Sequence, residues 1–343
     1  MATEALFIGI GALVLSLLLT GWVRRVALSM QVLDVPNARS SHATPTPRGG
    51  GLAIALVSSA GFVAVYAVGA LSTDLLIALL GGGAAVALVG AIDDRRHVPS
   101  YVRLAVHFAA AIWALAWLGP PVFGSGEHAL AWRVLSYVVS ALAIVWTLNL
   151  FNFMDGIDGI AASEAVFVAW GAAALAVLGL LPSDVAMASF VLGAACCGFL
   201  CWNWPPARIF MGDVGSGFLG FVLAVLALAA ARDNATASAA WLLLGGVFFV
   251  DASVTLLRRL IRRERLDQAH RTHAYQWLTR RWNSHRRVTL AVLAVNVSWL
   301  LPATALASRN PHLAVWIVLA AFLPLILIAL WAGAGQPEVS AGS

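Results

Sequence analysis

From Ala5 to Ala332 the sequence keeps returning to apolar runs of about twenty residues, the length at which a helix crosses the hydrocarbon of a bilayer. Hydrocarbon offers the backbone no hydrogen-bond partner, so such runs fold as helices. Eleven candidate spans follow, at about 5–23, 51–71, 74–92, 101–119, 130–150, 159–181, 185–204, 215–231, 238–257, 287–307 and 312–332. Only 11% of the residues are charged, against about a quarter in soluble proteins. The expected fold class is an all-α polytopic membrane protein, a single integral domain over residues 1–343. The first run has no basic region ahead of it and reads as a span rather than a cleaved signal. Cys196, Cys197 and Cys201 share one apolar run, which excludes a disulfide framework. Gly81, Gly82 and Gly83 predict close helix packing within the third span.

Every basic residue among the 21 is arginine. Arg24, Arg25, Arg39, Arg48, Arg95, Arg96, Arg103, Arg208 and the dense set from Arg258 to Arg287 fall on one side of the spans; Arg133, Arg232 and Arg309 fall near the other. The positive-inside rule makes the rich side cytoplasmic, the N-terminus external and the tail at 333–343 internal. Cytoplasmic loops are then about 24–50, 93–100, 151–158, 205–214 and 258–286. Bilayer orientation accounts for the arginine excess, so membrane lipid is an expected partner and nucleic acid is not.

The polar clusters fall on that same side. In Asn149-Leu-Phe-Asn152-Phe-Met-Asp155-Gly-Ile-Asp158-Gly159, residues Asn152, Asp155 and Asp158 recur every third position, close to one face of a helical turn. Asp93-Asp94 ends the third span and Asp213 precedes the eighth. Five converging acids with no lysine among them need arginines or a divalent cation, and oxygen-only ligation favours magnesium, or manganese, over zinc. Arg103 and Arg271 suit a pyrophosphate, which guanidinium groups bind in a fork. The segment Thr46-Pro-Arg48-Gly-Gly-Gly51 offers backbone N–H groups to phosphate. The helix opening near Gly215 and Gly217 offers its N-terminus to an anion. The bland readings are a cap and turn at Asn152–Asp158, a surface salt-bridge cluster at Asp93-Asp94, and interfacial histidines at His270 and His273. Asp251, an acid inside an apolar run, reads as functional or as packed on a neighbouring polar group. The one-sidedness of the clusters favours a single site for phosphoryl transfer between a soluble donor and a lipid acceptor.

Five blocks resemble the polyprenyl-phosphate N-acetylhexosamine-1-phosphate transferases. They are Asp34-Val-Pro-Asn37 with Pro47-Arg-Gly-Gly-Gly51; Asp93-Asp94; Asn152 to Gly159; Phe210-Met-Gly-Asp213-Val-Gly-Ser216; and His270-Arg-Thr-His273. The resemblance implies transfer of a sugar 1-phosphate from a UDP-N-acetylhexosamine to undecaprenyl phosphate, with release of UMP and a need for magnesium. It implies metal ligation by Asn152 and Asp213, and catalytic roles for Asp93, Asp94, Asp155, Asp158, His270 and His273. Arg103, Phe210, Arg271 and Asn149 would bind substrate, with Phe210 on the uracil. The His-Arg-Thr-His block is similar to the O-antigen-initiating branch that uses N-acetylated 6-deoxyhexosamines, rather than to the peptidoglycan branch with three adjacent histidines. A bacterial inner-membrane enzyme with a cytoplasmic site is implied, its oligomeric state, including a homodimer, left open. The competing readings are a phospho-N-acetylmuramoyl-pentapeptide transferase, a cation-coupled transporter and a structural scaffold.

Overall fold

The computed structural model describes residues 2–36, 44–121, 129–265 and 270–337. Asn37 of the first block and Arg39 lie outside the described residues. Helices α1 (Ala2–Ser29), α2 (Gly51–Ala67), α3 (Thr73–Asp93), α4 (Ser100–Leu118) and α5 (Ala129–Met154) come first in the chain. They are followed by α6 (Ile160–Val177), α7 (Ala186–Asn203) and α8 (Asp213–Asp233). Next come α9 (Ala235–Leu244), α10 (Gly246–Ile261), α11 (Ala274–Trp282), α12 (His285–Val295), α13 (Leu301–Arg309) and α14 (Ala314–Ala332). A π-helical turn, Asn296–Leu300, joins α12 to α13 in one long element.

Nine helices among the described residues are long and apolar enough to cross a membrane, or ten if α9 and α10 count as one span. The expected second span forms α2, whose 17 residues reach about 26 Å, just short of the hydrocarbon thickness. The expected span over 238–257 is bent by 78° where Gly245 separates α9 from α10. The expected loop 258–286 contains α11, whose apolar residues bury Ala274 and Tyr275 against α10.

Helix α8 is the hub, almost wholly buried and packed against α2, α3 and α5. The close approaches depend on glycine: a Cβ on Gly90 of α3 would lie 2.5 Å from the Asp213 carbonyl oxygen, and one on Gly51 would lie 2.2 Å from the Gly215 Cα. These contacts press the C-terminal end of α3 and the N-terminal end of α2 onto the first turn of α8. The acidic ends of α3 and α8 and the arginine-bearing segment before α2 therefore meet at one end of the bundle. Arg232 lies in the last turn of α8, at the end away from Asp213, and Arg309 ends α13.

Candidate active site

A two-stranded antiparallel ribbon, β1 (Leu33–Asp34) with β2 (Thr46–Pro47), sets the position of Arg48. The ribbon is extended by Phe210, whose N–H donates to the Pro47 carbonyl at 2.8 Å. The amides of Arg48, Gly50 and Gly51 donate to the carbonyls of Val32, Phe210 and Met211. They are therefore not presented to phosphate, and the backbone-cradle expectation for this segment is corrected. What the segment offers instead is the Arg48 guanidinium.

That guanidinium donates from Nε to Asp94 Oδ1 at 2.9 Å and from Nη2 to Asp213 Oδ1 at 2.7 Å. On the other side, Arg103 Nη1 reaches both Asp93 Oδ2 at 2.9 Å and Asp213 Oδ2 at 2.7 Å. Asp213 is thus gripped by two arginines, and the adjacent Asp93 and Asp94 diverge to different partners. Asp93 Oδ1 also accepts from Val98 N at 2.6 Å. Asp94 takes the N-terminal amides of α8, from Asp213 N at 2.9 Å and Val214 N at 3.3 Å. The anion at that helix terminus is therefore a side chain of the protein itself, where the dipole and unpaired N–H groups favour negative charge. Burial nevertheless pushes the Asp94 carboxyl up to about 6, against the pull of Arg48. Burial alone would lower Arg48, but the carboxylates of Asp213 and Asp94 outweigh it and raise the guanidinium further.

The turn after α5 abuts this network. Asn152 Nδ2 donates to Ser216 Oγ at 3.2 Å, one helical turn beyond Asp213. Asp155 makes no side-chain hydrogen bond or ion pair among the described residues, and burial first, with Asp213 and Asp94 nearby, drives its carboxyl well above the usual range. An acid so placed takes up a proton or a cation. Asp158 is occupied elsewhere: its Oδ2 accepts from Ala207 N at 3.0 Å and its Oδ1 lies 3.2 Å from His285 Nδ1. It fastens the turn to the loop before α8, as does Asn203, whose Oδ1 accepts from Gly159 N at 3.0 Å. Asn149 donates to the Val145 carbonyl of its own helix at 2.7 Å.

The histidine block approaches from α10 and α11. Asp251 accepts from Ala274 N at 2.8 Å, Tyr275 N at 3.0 Å and Thr255 Oγ1 at 3.1 Å, and lies 3.3 Å from His273 Nδ1. The acid in the apolar run is therefore the anchor of α11 and of His273. His273 is buried, stacked between the rings of His270 at 5.0 Å and Phe153 at 6.4 Å. Tyr275 Oη donates to the Phe153 carbonyl at 3.0 Å, and burial lifts its phenol well above its ordinary value. The turn carrying Asn152 and Asp155 and the loop carrying His270 to His273 are therefore clamped together. Phe210, in the segment before α8, and Arg271, in the histidine loop, are both half-buried.

Arg48, Asn203, Tyr275 and His285 were not singled out by the sequence as side chains of the site. Arg48 carried a signal, being the one charged group in a glycine-rich loop; the other three lie far from their partners along the chain.

The donor chemistry suits a hard cation, since the uncommitted atoms around Asp155 and Asn152 are oxygens. Among the described residues no three His, Cys, Asp or Glu side chains are grouped so that they could hold a metal ion.

The sequence pattern of glycosyl transferase family 4 matches residues 76–231. A decaprenyl-phosphate N-acetylglucosaminephosphotransferase of Mycobacterium tuberculosis is 33% identical over 328 residues, covering 84% of this chain and 79% of the relative. The chain belongs to the polyprenyl-phosphate N-acetylhexosamine-1-phosphate transferases of that family. The transferase is also 28% identical over 323 residues to a probable undecaprenyl-phosphate N-acetylglucosaminyl 1-phosphate transferase of Bacillus subtilis, across 91% of its own length and 88% of the relative. A phospho-N-acetylmuramoyl-pentapeptide-transferase of Chlamydia abortus aligns at 35% identity, over 40% of each chain. The transferase is thus a multi-pass membrane enzyme, and its Mycobacterium tuberculosis and Bacillus subtilis relatives are named for a polyprenyl-phosphate substrate.

Proposed function

We propose that the protein transfers an N-acetylhexosamine 1-phosphate from a UDP-sugar to undecaprenyl phosphate at the cytoplasmic face of the inner membrane, releasing UMP. The observation that carries this reading is the junction on α5. Phe151 lines an apolar cavity of about 330 Å³ walled by α5, α8 and the bent α9–α10 pair, and the next residue, Asn152, bonds to Ser216 in the first turn of α8, beside the charged network. A phosphate head and an isoprenoid tail need such a boundary. The cavity walls include Ile144, Leu223, Trp241 and Phe249. Cation-coupled transport is less well supported, because the clustered acids Asp93, Asp94 and Asp213 gather at helix ends rather than at mid-depth.

In this reading an oxygen of the lipid phosphate attacks the sugar-bearing phosphorus of the donor. The new P–O bond makes the lipid diphosphate, and the bond to UMP breaks. A phosphate monoester with a second pKa near about 6 is largely ionised at neutral pH and needs little help from a base. Asp93 holds two donors already, Val98 N and Arg103, which suits a positioning carboxylate better than a covalent nucleophile. Arg103 and Arg48 stand ready to exchange a carboxylate for a phosphate oxygen, since either anion fits the guanidinium fork. Asn152 and Asp213 would hold magnesium or manganese once an arginine leaves one Asp213 oxygen for the substrate phosphate, and the ion would supply charge neutralisation for the diphosphate. Phe210 would carry the uracil, and His270, Arg271 and His273 the donor diphosphate.

The test is incubation of the purified protein with undecaprenyl phosphate, magnesium and a panel of UDP-N-acetylhexosamines that includes 6-deoxy sugars. UMP release with one donor, abolished by a chelator, is expected. Turnover only with the muramoyl-pentapeptide donor would assign the chain to peptidoglycan synthesis, and no UMP with any donor would overturn the reading.

A further inference from the structure

The last described turn of the chain is folded against the histidine loop. After α14, Gly333 and Gly335 take φ of 103° and 66°, and Ala334 between them is fully buried. Arg258 Nη1 donates to the Ala334 carbonyl at 2.7 Å, and Arg262 Nη1 donates to the Gly335 carbonyl. Neither guanidinium has a carboxylate partner among the described residues. In the other direction, Gly335 N donates to the Thr272 carbonyl at 2.7 Å. Thr272 sits between Arg271 and His273, and its Oγ1 lies 2.9 Å from His270 Nδ1. A hydrogen bond from Gln336 N to the Gly333 carbonyl closes the turn.

The passage is tight. A Cβ on Gly335 would lie 2.8 Å from Arg258 Cβ and 2.9 Å from the Thr255 carbonyl oxygen. Thr255 also donates to Asp251, the acid that anchors His273. The strap therefore bonds to the histidine loop at Thr272 and packs closely on α10 at Thr255, the residue that donates to Asp251. The Asp251 carboxylate fixes the start of α11, but on the upstream side the Thr272 carbonyl has the strap as its partner.

We propose that residues 333–336 are a positioning element of the donor site, a C-terminal strap that sets the height of the His270–His273 loop over the Asn152–Asp155 turn. The inference rests on the reading that this loop grips the donor diphosphate. Catalytic groups in the loop touch the substrate; the strap acts through them.

Three variants of the full protein in lipid nanodiscs test it: the chain ended after Ala332, Gly335→Val, and the chain ended after Pro337. Two quantities are followed, the separate KM values for UDP-sugar and lipid phosphate, and the rate of tryptic cleavage after Arg271. The first two variants should raise the donor KM about ten-fold or more, as expected for catalytic groups displaced by about 1 Å, and leave the lipid KM unchanged. Cleavage after Arg271 should accelerate in both, and the chain ended after Pro337 should match the parent. Unchanged donor KM and cleavage in Gly335→Val would overturn the proposal, as would a parallel rise of both KM values with a fall in Tm. If the parent releases no UMP, the functional reading fails, and the cleavage rates alone still decide whether the strap holds the loop.

Discussion

Asp213 is the residue on which the charges converge, with an arginine on each oxygen and its own amide on Asp94. Asp213→Asn keeps the shape but removes the charge that both arginines answer. UMP release should fall by about 10²–10³-fold, the usual loss for one preorganised electrostatic group, and the remaining activity should depend less steeply on magnesium. Full activity in this variant would contradict the ligand assignment. Arg103→Lys should be only a partial replacement. An ammonium can reach one carboxylate as a point charge but lacks the rigid fork that aligns Asp93 and Asp213, so kcat/KM should lie between parent and Arg103→Ala. Asp94 supplies a pH signature. Its folded-state pKa of about 6 exceeds the unfolded carboxylate value, so the folded state binds the proton more tightly. Stability should therefore fall as pH rises from near about 4 to about 6, and be flat above. Thermal unfolding in the presence of a chelator, compared between the parent and Asp94→Asn, checks this; an identical slope in both would remove Asp94 as its source.

At the scale of elements, the site is a meeting of helix ends. The α3–α8 approach at Gly90 brings Asp93 and Asp94 to Asp213, and the α2–α8 approach at Gly51 brings Arg48. Helix α11 is different, being short and held by one acid from α10. Its nine residues are too few to persist alone in water. Asp251→Ala removes the acceptor for Ala274 N, Tyr275 N and Thr255 Oγ1 and leaves these donors buried, which costs about 1–3 kcal/mol for each group left unpaired. The expected result is a lower Tm with a donor KM raised more than the lipid KM. Asp251→Asn, which retains one acceptor oxygen, should fall between. Equal effects on both substrates would mean that α11 does not serve the donor side.

For the whole molecule, the bundle relies on polar pairs where helices cross inside the apolar layer. Glu164 of α6 is fully buried, and its Oε2 accepts from Asn296 Nδ2 at 2.5 Å in the π-helical turn between α12 and α13. Glu164 Oε1 and Asn296 Oδ1 are both buried without a donor. Glu164→Gln keeps the acceptor and adds an N–H, so its Tm should equal or exceed the parent's. Glu164→Ala strands the Asn296 amide and should lower stability by about 1–3 kcal/mol. Thermal unfolding of the two variants in one detergent separates these outcomes, and a fall of the glutamine variant to the alanine level would show that the negative charge itself is needed.

Hydropathy alone determined that the chain is an all-helical membrane protein, because apolar length of about twenty residues is a local property and hydrocarbon permits few other folds. The identity of the acids and arginines at one end of those runs was equally legible, since loop position and charge are read along the chain. Pairing was not. That Asp93 faces Arg103 whereas its neighbour Asp94 caps α8, and that Asp158 serves the loop at Ala207 rather than the charged network, depends on rotations and crossings of helices. The 78° bend at Gly245 and the small helix α11 were likewise hidden, because a single glycine inside an apolar run does not announce a bend and α11 is held by Asp251, an acid on another helix. Periodicity says which residues share a face; only packing says what that face meets, since contacts made across a hundred residues of chain leave no local pattern.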